Sequence, residues 1–154
     1  MLLFPLALSA QSISVSQIDL ALPDQPLAQA WGAAAANPRS VEARANVASA
    51  LLSANRLQQA EWAARESVEM DPSNARAQFL LGWTLTREYR YTSETLDCLR
   101  RAAVAIPEAH LAAADVLSHQ GSNAQARAEV EAYLTTGASA HRRTAQVWLK
   151  LLAN

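Results

Sequence analysis

From Leu27 onward, apolar residues recur three and four positions apart, the spacing of one buried stripe on a helix. Leu27, Ala30, Trp31 and Ala34 open the pattern, and Asn37-Pro38 closes it. Ser40, a residue suited to an N-cap, then precedes a helix over 40–53 with Val47, Ala48, Leu51 and Leu52 on one face. After the short turn Ala54-Asn55-Arg56, a helix over 57–70 turns Leu57, Ala60, Ala64 and Val68 inward and stops at Asp71-Pro72. A helix over 74–88, capped by Ser73, carries Ala77, Leu81 and Leu85. The next, over 93–105, carries Leu96, Leu99 and Ala103 and ends at Ile106-Pro107. Helices over 108–119 and 123–135 are stopped by Gly121 and Gly137, and a last one, capped by Ser139, runs through Leu152. Turns of two to five residues join them, so neighbouring helices must run antiparallel.

The first 26 residues follow other rules. Residues 1–10 form an apolar run ending in Ser9-Ala10, like the hydrophobic part and cleavage end of a secretory signal, although no Lys or Arg precedes it. Export to the periplasm or the exterior is the expectation, with the cytoplasm as the location if 1–10 is instead an apolar arm docked on the first helices. The run is too short to span a bilayer, so no stable membrane span is expected after processing. Residues 11–26 read as an extended linker. Within it Ile13, Val15, Ile18, Leu20 and Leu22 are spaced mostly by two, the period of an extended strand able to pair with another chain. Pro23 and Pro26 keep any helix from starting earlier.

A longer period overlies the helical one. Pro38 and Pro72 stand 34 residues apart and Pro107 follows 35 later, a recurrence that marks stacked two-helix repeats. Within it, Gln78-x-x-Leu81-Gly82-x-x-Leu85 is followed by Thr95, Leu99 and Pro107. The unit before reads Arg44-x-x-Val47-Ala48-x-x-Leu51, then Ala60, Ala64 and Pro72. The unit after reads His110-x-x-Ala113-Ala114-x-x-Leu117, then Gly121, Ala126 and Val130, with Ala138 where a closing Pro is expected. This pattern resembles the tetratricopeptide repeat family, whose first helix reads W-x-x-L-G-x-x-Y. Departures fall at the large aromatics, replaced here by Gln78, Leu85, Leu51 and Leu117. Small residues such as Gly82, Ala48 and Ala60 let the two helices of a unit approach closely, and Leu81 and Leu99 fill the gap to the next unit.

The resemblance implies an all-α fold: a right-handed superhelical stack of antiparallel helix pairs with a C-terminal capping helix. Residues 27–37 would be a leading half-repeat, 38–137 three repeats, and 138–154 the cap. It also implies a concave groove, lined by the first helix of each unit, that receives a peptide or helix of a partner protein. Carried onto this sequence, the groove holds Asn46 and Ser49, then Arg76, Phe79, Trp83 and Arg87, then Leu111, Asp115 and His119. Phe79, Trp83 and Arg87 are four apart and share one helix flank, suited to an apolar anchor beside a carboxylate. The same two aromatics could instead pack against the next unit or the N-terminal arm. An envelope adaptor or assembly factor is the expected role. The alternative is a structural module that self-associates into a homo-oligomer through 13–22.

Composition narrows the chemistry. A formal net charge of −1, with cations spread over all units, provides no field for nucleic acid. Cys98 is the single cysteine, so no internal disulfide or cysteine-based metal site exists, and its apolar neighbours mark it as a small core residue. His110 and His119 lie nine apart on one helix, facing different sides, with no carboxylate completing a ligand set. No phosphate loop or nucleophile elbow is present. No catalytic, cofactor or metal residues are expected. Trp31, Trp62 and Trp148 read as core or capping residues, and Glu61, Glu66 and Glu69 beside Arg65 as a solvated face.

Overall fold

In the computed structural model, which describes residues 26–152, Ser40 Oγ accepts the Ala43 N–H at 3.1 Å and starts a helix where sequence alone places one. Eight α-helices follow one another among the described residues, without a strand: α1 Leu27–Ala36, α2 Val41–Ser53, α3 Leu57–Met70, α4 Ala75–Arg87, α5 Ser93–Ala103, α6 Glu108–His119, α7 Asn123–Thr135 and α8 Arg142–Leu151. Three antiparallel hairpins, α2–α3, α4–α5 and α6–α7, stack in chain order, with α1 leading on α2 and α8 closing on α7. The first helices of successive hairpins touch, α2 on α4 and α4 on α6, whereas the second helices do not meet to a comparable extent. The stack therefore curves toward α2, α4 and α6, which line its inner side. No helix among the described residues is long and apolar enough to cross a membrane.

Each inner helix ends the same way. Asn55, Tyr89 and Gly121 adopt left-handed φ of 57°, 59° and 75°, and the N–H of the following residue reaches five residues back. Those bonds are Arg56 to Leu51 at 2.9 Å, Arg90 to Leu85 at 3.0 Å and Ser122 to Leu117 at 2.8 Å. They satisfy carbonyls that the helix end leaves open and reverse the chain tightly.

Close approach within the second hairpin depends on Gly82. A Cβ there would stand 2.7 Å from Leu99 Cγ and 2.8 Å from its Cδ2, so Leu99 of α5 seats directly on the α4 backbone. Leu99 thus packs tightly within its own hairpin. The position of the family's aromatic is filled differently in each hairpin. Arg44 Nε lies 3.3 Å from Glu66 Oε2, and His110 Nδ1 lies 2.8 Å from Glu129 Oε2, so two hairpins are tied by a pair from inner to outer helix. In the middle one Gln78 Nε2 donates to the Pro72 carbonyl at 2.8 Å.

Ion pairs also join neighbouring hairpins. Arg76 pairs with Glu42, Arg65 with Glu94 at 2.5 Å, Arg90 with Glu61 at 2.8 Å, and Arg100 with Glu129 at 3.1 Å. Glu61 and Arg65 therefore register one hairpin on the next and are more than a solvated face. Most of these side chains are partly exposed, so each pair adds little to stability and more to alignment.

Several local expectations change. Asn74, not Ser73, caps α4: its Oδ1 accepts the Ala77 N–H at 2.9 Å. Ser73 is held instead by Asp71 Oδ1, which accepts its N–H at 2.9 Å and its hydroxyl at 2.6 Å, in the turn after α3. His141, not Ser139, stands at the N-cap of the last helix, which starts at Arg142, and the His141 N–H donates to the Tyr133 hydroxyl at 3.0 Å. Trp148 is buried, whereas Trp31 and Trp62 lie at the surface, Trp62 with Arg44 Cζ 6.0 Å from its ring centre. The expectations for 1–10 and 11–25 fall outside the described residues.

Candidate functional site

Helical spacing and the 34-residue recurrence set matching residues on the inner side of each hairpin. Ala45, Ser49 and Leu52 of α2 correspond to Phe79, Trp83 and Thr86 of α4, and Leu111 and Asp115 of α6 continue the row. On α4 the rings of Phe79 and Trp83 lie parallel within 7°, their centroids 6.3 Å apart, as an i, i+4 pair permits. The stacked rings form one apolar wall. Arg76 stands a turn before it, held by Glu42 of α2, and Arg87 a turn after it, its Nη2 donating to Asn55 Oδ1 at 3.0 Å. The four α4 residues read from sequence thus share one flank, and both arginines reach across to the first hairpin.

On α6, Asp115 Oδ1 lies 3.6 Å from His119 Nδ1, and that nitrogen is also 2.9 Å from the Asp115 carbonyl oxygen. The His119 ring stacks on Tyr91, centroids 4.1 Å apart, while Gln120 Nε2 donates to the Tyr91 carbonyl at 2.9 Å. Burial, followed by the nearby Asp115 charge, pushes the Tyr91 hydroxyl above its ordinary range. Tyr91 was not legible as a site residue, because it sits in the α4–α5 turn, outside any periodic pattern. Ser49 Oγ is buried without a hydrogen-bond partner, and Asn46 beside it is half-buried.

This inner row is closed to solvent. Phe79 and Trp83 are only 5 % and 4 % exposed, and Asp115 3 %, with Ala45, Ser49, Leu52, Thr86 and Leu111 also buried. The outer side carries an open groove of about 420 Å³ between α3 and α5, floored by Gln78 and Leu81 and rimmed by Arg65, Glu94 and Arg101. Cys98 lines it, its thiol pushed up to about 11, by burial first and the Glu94 charge second. No group of three or more His, Cys, Asp or Glu residues among the described ones is arranged to hold a metal ion.

These features define a tetratricopeptide-repeat-like α-solenoid. Solved structures share the fold at low sequence identity. The Yersinia enterocolitica type III secretion chaperone SycD, in complex with a peptide of the translocator YopD, superimposes with a TM-score of 0.67 at 16 % identity, over 73 % of this chain and 92 % of that one. TTC0263, a thermophilic TPR protein of Thermus thermophilus, gives 0.68 at 17 % identity, over 83 % of this chain and 72 % of that one. MamA gives 0.66 at 16 % identity, over 82 % and 84 %. No protein-family model and no curated protein sequence matches the chain.

Proposed function

We propose that this chain is a non-catalytic protein-interaction module that receives a peptide or helix of a partner in its inner groove. The observation that supports this most is the continuous row from Ser49 through Phe79 and Trp83 to Asp115, running across three stacked helices. An extended segment laid across the helices would set apolar side chains on the Phe79–Trp83 wall. Asp115 would accept backbone N–H groups of the ligand, and Arg76 and Arg87 would fix a carboxylate or carbonyl at the ends. SycD, of the same fold, is solved with a peptide of its translocator, which agrees with this use of the architecture. The finer role is an envelope adaptor or assembly factor that holds a segment of another protein.

Selection from a displayed library of random peptides, followed by NMR titration of the winners, tests the reading. Shifts concentrated at Ser49, Trp83 and Asp115 are expected, and Arg76→Ala with Arg87→Ala, both partly exposed, should weaken capture at least ten-fold while the helical circular dichroism stays unchanged. Winners that perturb only α3, α5 and α7 would defeat it. The competing reading, a self-associating module, draws on Val147 and Leu151, which are exposed on α8. A monomeric mass by light scattering at all concentrations would dispose of that alternative.

A further inference from the structure

The three hairpins share one register position on their inner helices, held by Arg44, Gln78 and His110. In the first and third it is met from within the hairpin, by Glu66 for Arg44 and by Glu129 for His110. The middle hairpin has no such carboxylate. Counted from Ala60, Thr95 and Ala126, the α5 residues in register with Glu66 and Glu129 are Arg101 and Cys98. Gln78 is 2 % exposed and floors the outer groove of about 420 Å³. Its Nε2 donates to the Pro72 carbonyl, which can only accept, so the amide orientation is fixed and Oε1 is left over as an acceptor. That atom is buried with no partner among the described residues, a costly state for a polar group that a donor from outside would relieve.

The rest of the lining sets the character of that donor. Arg65 is taken up by Glu61 and Glu94. Of the remaining charges, Glu69, Asp97 and Arg101, none has an ion-pair partner among the described residues, and all three are exposed. Two free carboxylates and one buried amide oxygen therefore stand against a single free cation. Acceptors are in excess. Val68, Leu81 and Cys98 supply apolar surface between them. The volume falls in the range of about 300–1,000 Å³ typical of small-ligand sites.

We propose that the outer groove is a second binding site, which takes a long basic side chain, arginine or lysine, of a partner protein. The aliphatic stem lies along Val68 and Leu81, a head-group N–H donates to Gln78 Oε1, and Glu69 and Asp97 offset the charge. Arg101 opposes the incoming cation and limits how tightly it is held. The site lies on the other side of the stack from the Phe79–Trp83 wall, so it stands whether or not the inner row receives a peptide.

NMR titration of the full chain with N-acetyl-arginine amide tests it. Shifts should fall on the Gln78 side-chain amide and on Asp97 and Cys98, with the Trp83 indole signal unmoved. The uncharged citrulline analogue of the probe should bind at least ten-fold more weakly. The arginine probe should lose as much on the variant Glu69→Gln with Asp97→Asn, whose positions are exposed. Arg101→Ala should tighten binding at least two-fold. Citrulline binding as well as arginine, or no shift at Gln78 with the probe in large excess, would overturn the proposal. So would weaker binding after Arg101→Ala, which would mark the groove as an anion site. Native circular dichroism in each variant separates loss of the site from loss of folding. Shifts at Trp83 in place of Gln78 would remove the outer site and leave the inner groove standing, so the two readings fail separately.

Discussion

Replacing Gly82 by Ala adds one methyl at the tightest point between the helices of the middle hairpin. The new Cβ would meet Leu99 Cγ at 2.7 Å, Leu99 Cδ2 at 2.8 Å and Cys98 Cβ at 3.3 Å, against ordinary carbon contacts of about 3.5–4.0 Å. Leu99 is fully buried, so it cannot swing into solvent to relieve the clash. Overpacking of this kind costs about 3 kcal/mol at its upper range. Alanine in place of glycine within a helix returns about 1 kcal/mol. The net expectation is a loss of about 2 kcal/mol, read as a lower urea midpoint with the slope unchanged. Leu99→Ala alone should cost about 3 kcal/mol through the cavity it leaves. In the double variant the added methyl occupies part of that space, so the combined loss should fall short of the sum by more than about 1 kcal/mol. Additive losses, or a Gly82→Ala protein more stable than the parent, would refute the packing argument.

Glu129 supplies a pH prediction. Burial raises its pKa, but hydrogen bonds from His110 and Arg100, with their charges, outweigh this and leave the carboxyl below its ordinary value. Its stabilising effect is therefore complete above the unfolded glutamate value of about 4.3 and fades as pH falls through the depressed folded value. Urea titrations should show a drop in stability below about pH 4 that Glu129→Gln flattens; identical profiles would disprove the assignment. Cys98, with its thiol pushed up to about 11, should react with a disulfide reagent at about pH 8 many-fold more slowly in native buffer than in urea. Tyr89 holds the left-handed position that Gly121 fills in the next hairpin, at φ 59° and largely exposed. Relief of that conformation, set against the freer unfolded chain of a glycine, should make Tyr89→Gly more stable by about 0.5 kcal/mol. A lower melting temperature for that variant would show that the edge contact with Tyr91 matters more.

Helix positions were legible because caps, closing prolines and apolar spacing agreed: Ser40, Pro72, Pro107 and Gly121 all punctuate the chain as read. The finer errors share one cause. Ser73 lost the α4 cap to Asn74 because Asp71 binds it, and Ser139 gives way at the α8 start to His141, whose N–H goes to the Tyr133 hydroxyl. Both depend on side-chain partners, one of them eight residues away, that local periodicity does not encode. The pairing of Arg44 with Glu66 and of His110 with Glu129 was hidden for a similar reason. A pattern match registers only that an aromatic is missing, not that an ion pair fills its place. Within the candidate groove, four-residue spacing sufficed to bring Phe79 and Trp83 together, whereas their near-complete burial follows from three-dimensional packing. Tyr91 and its stacking on His119 likewise required the turn to be folded.

The account's central claim is that the inner row of α2, α4 and α6 is where this chain meets its ligand. Hydrogen-exchange mass spectrometry with and without a saturating selected peptide tests it most directly. The account predicts added protection in segments 41–53, 75–87 and 108–119. Protection confined to α3, α5 and α7, or none despite measured binding, would contradict it.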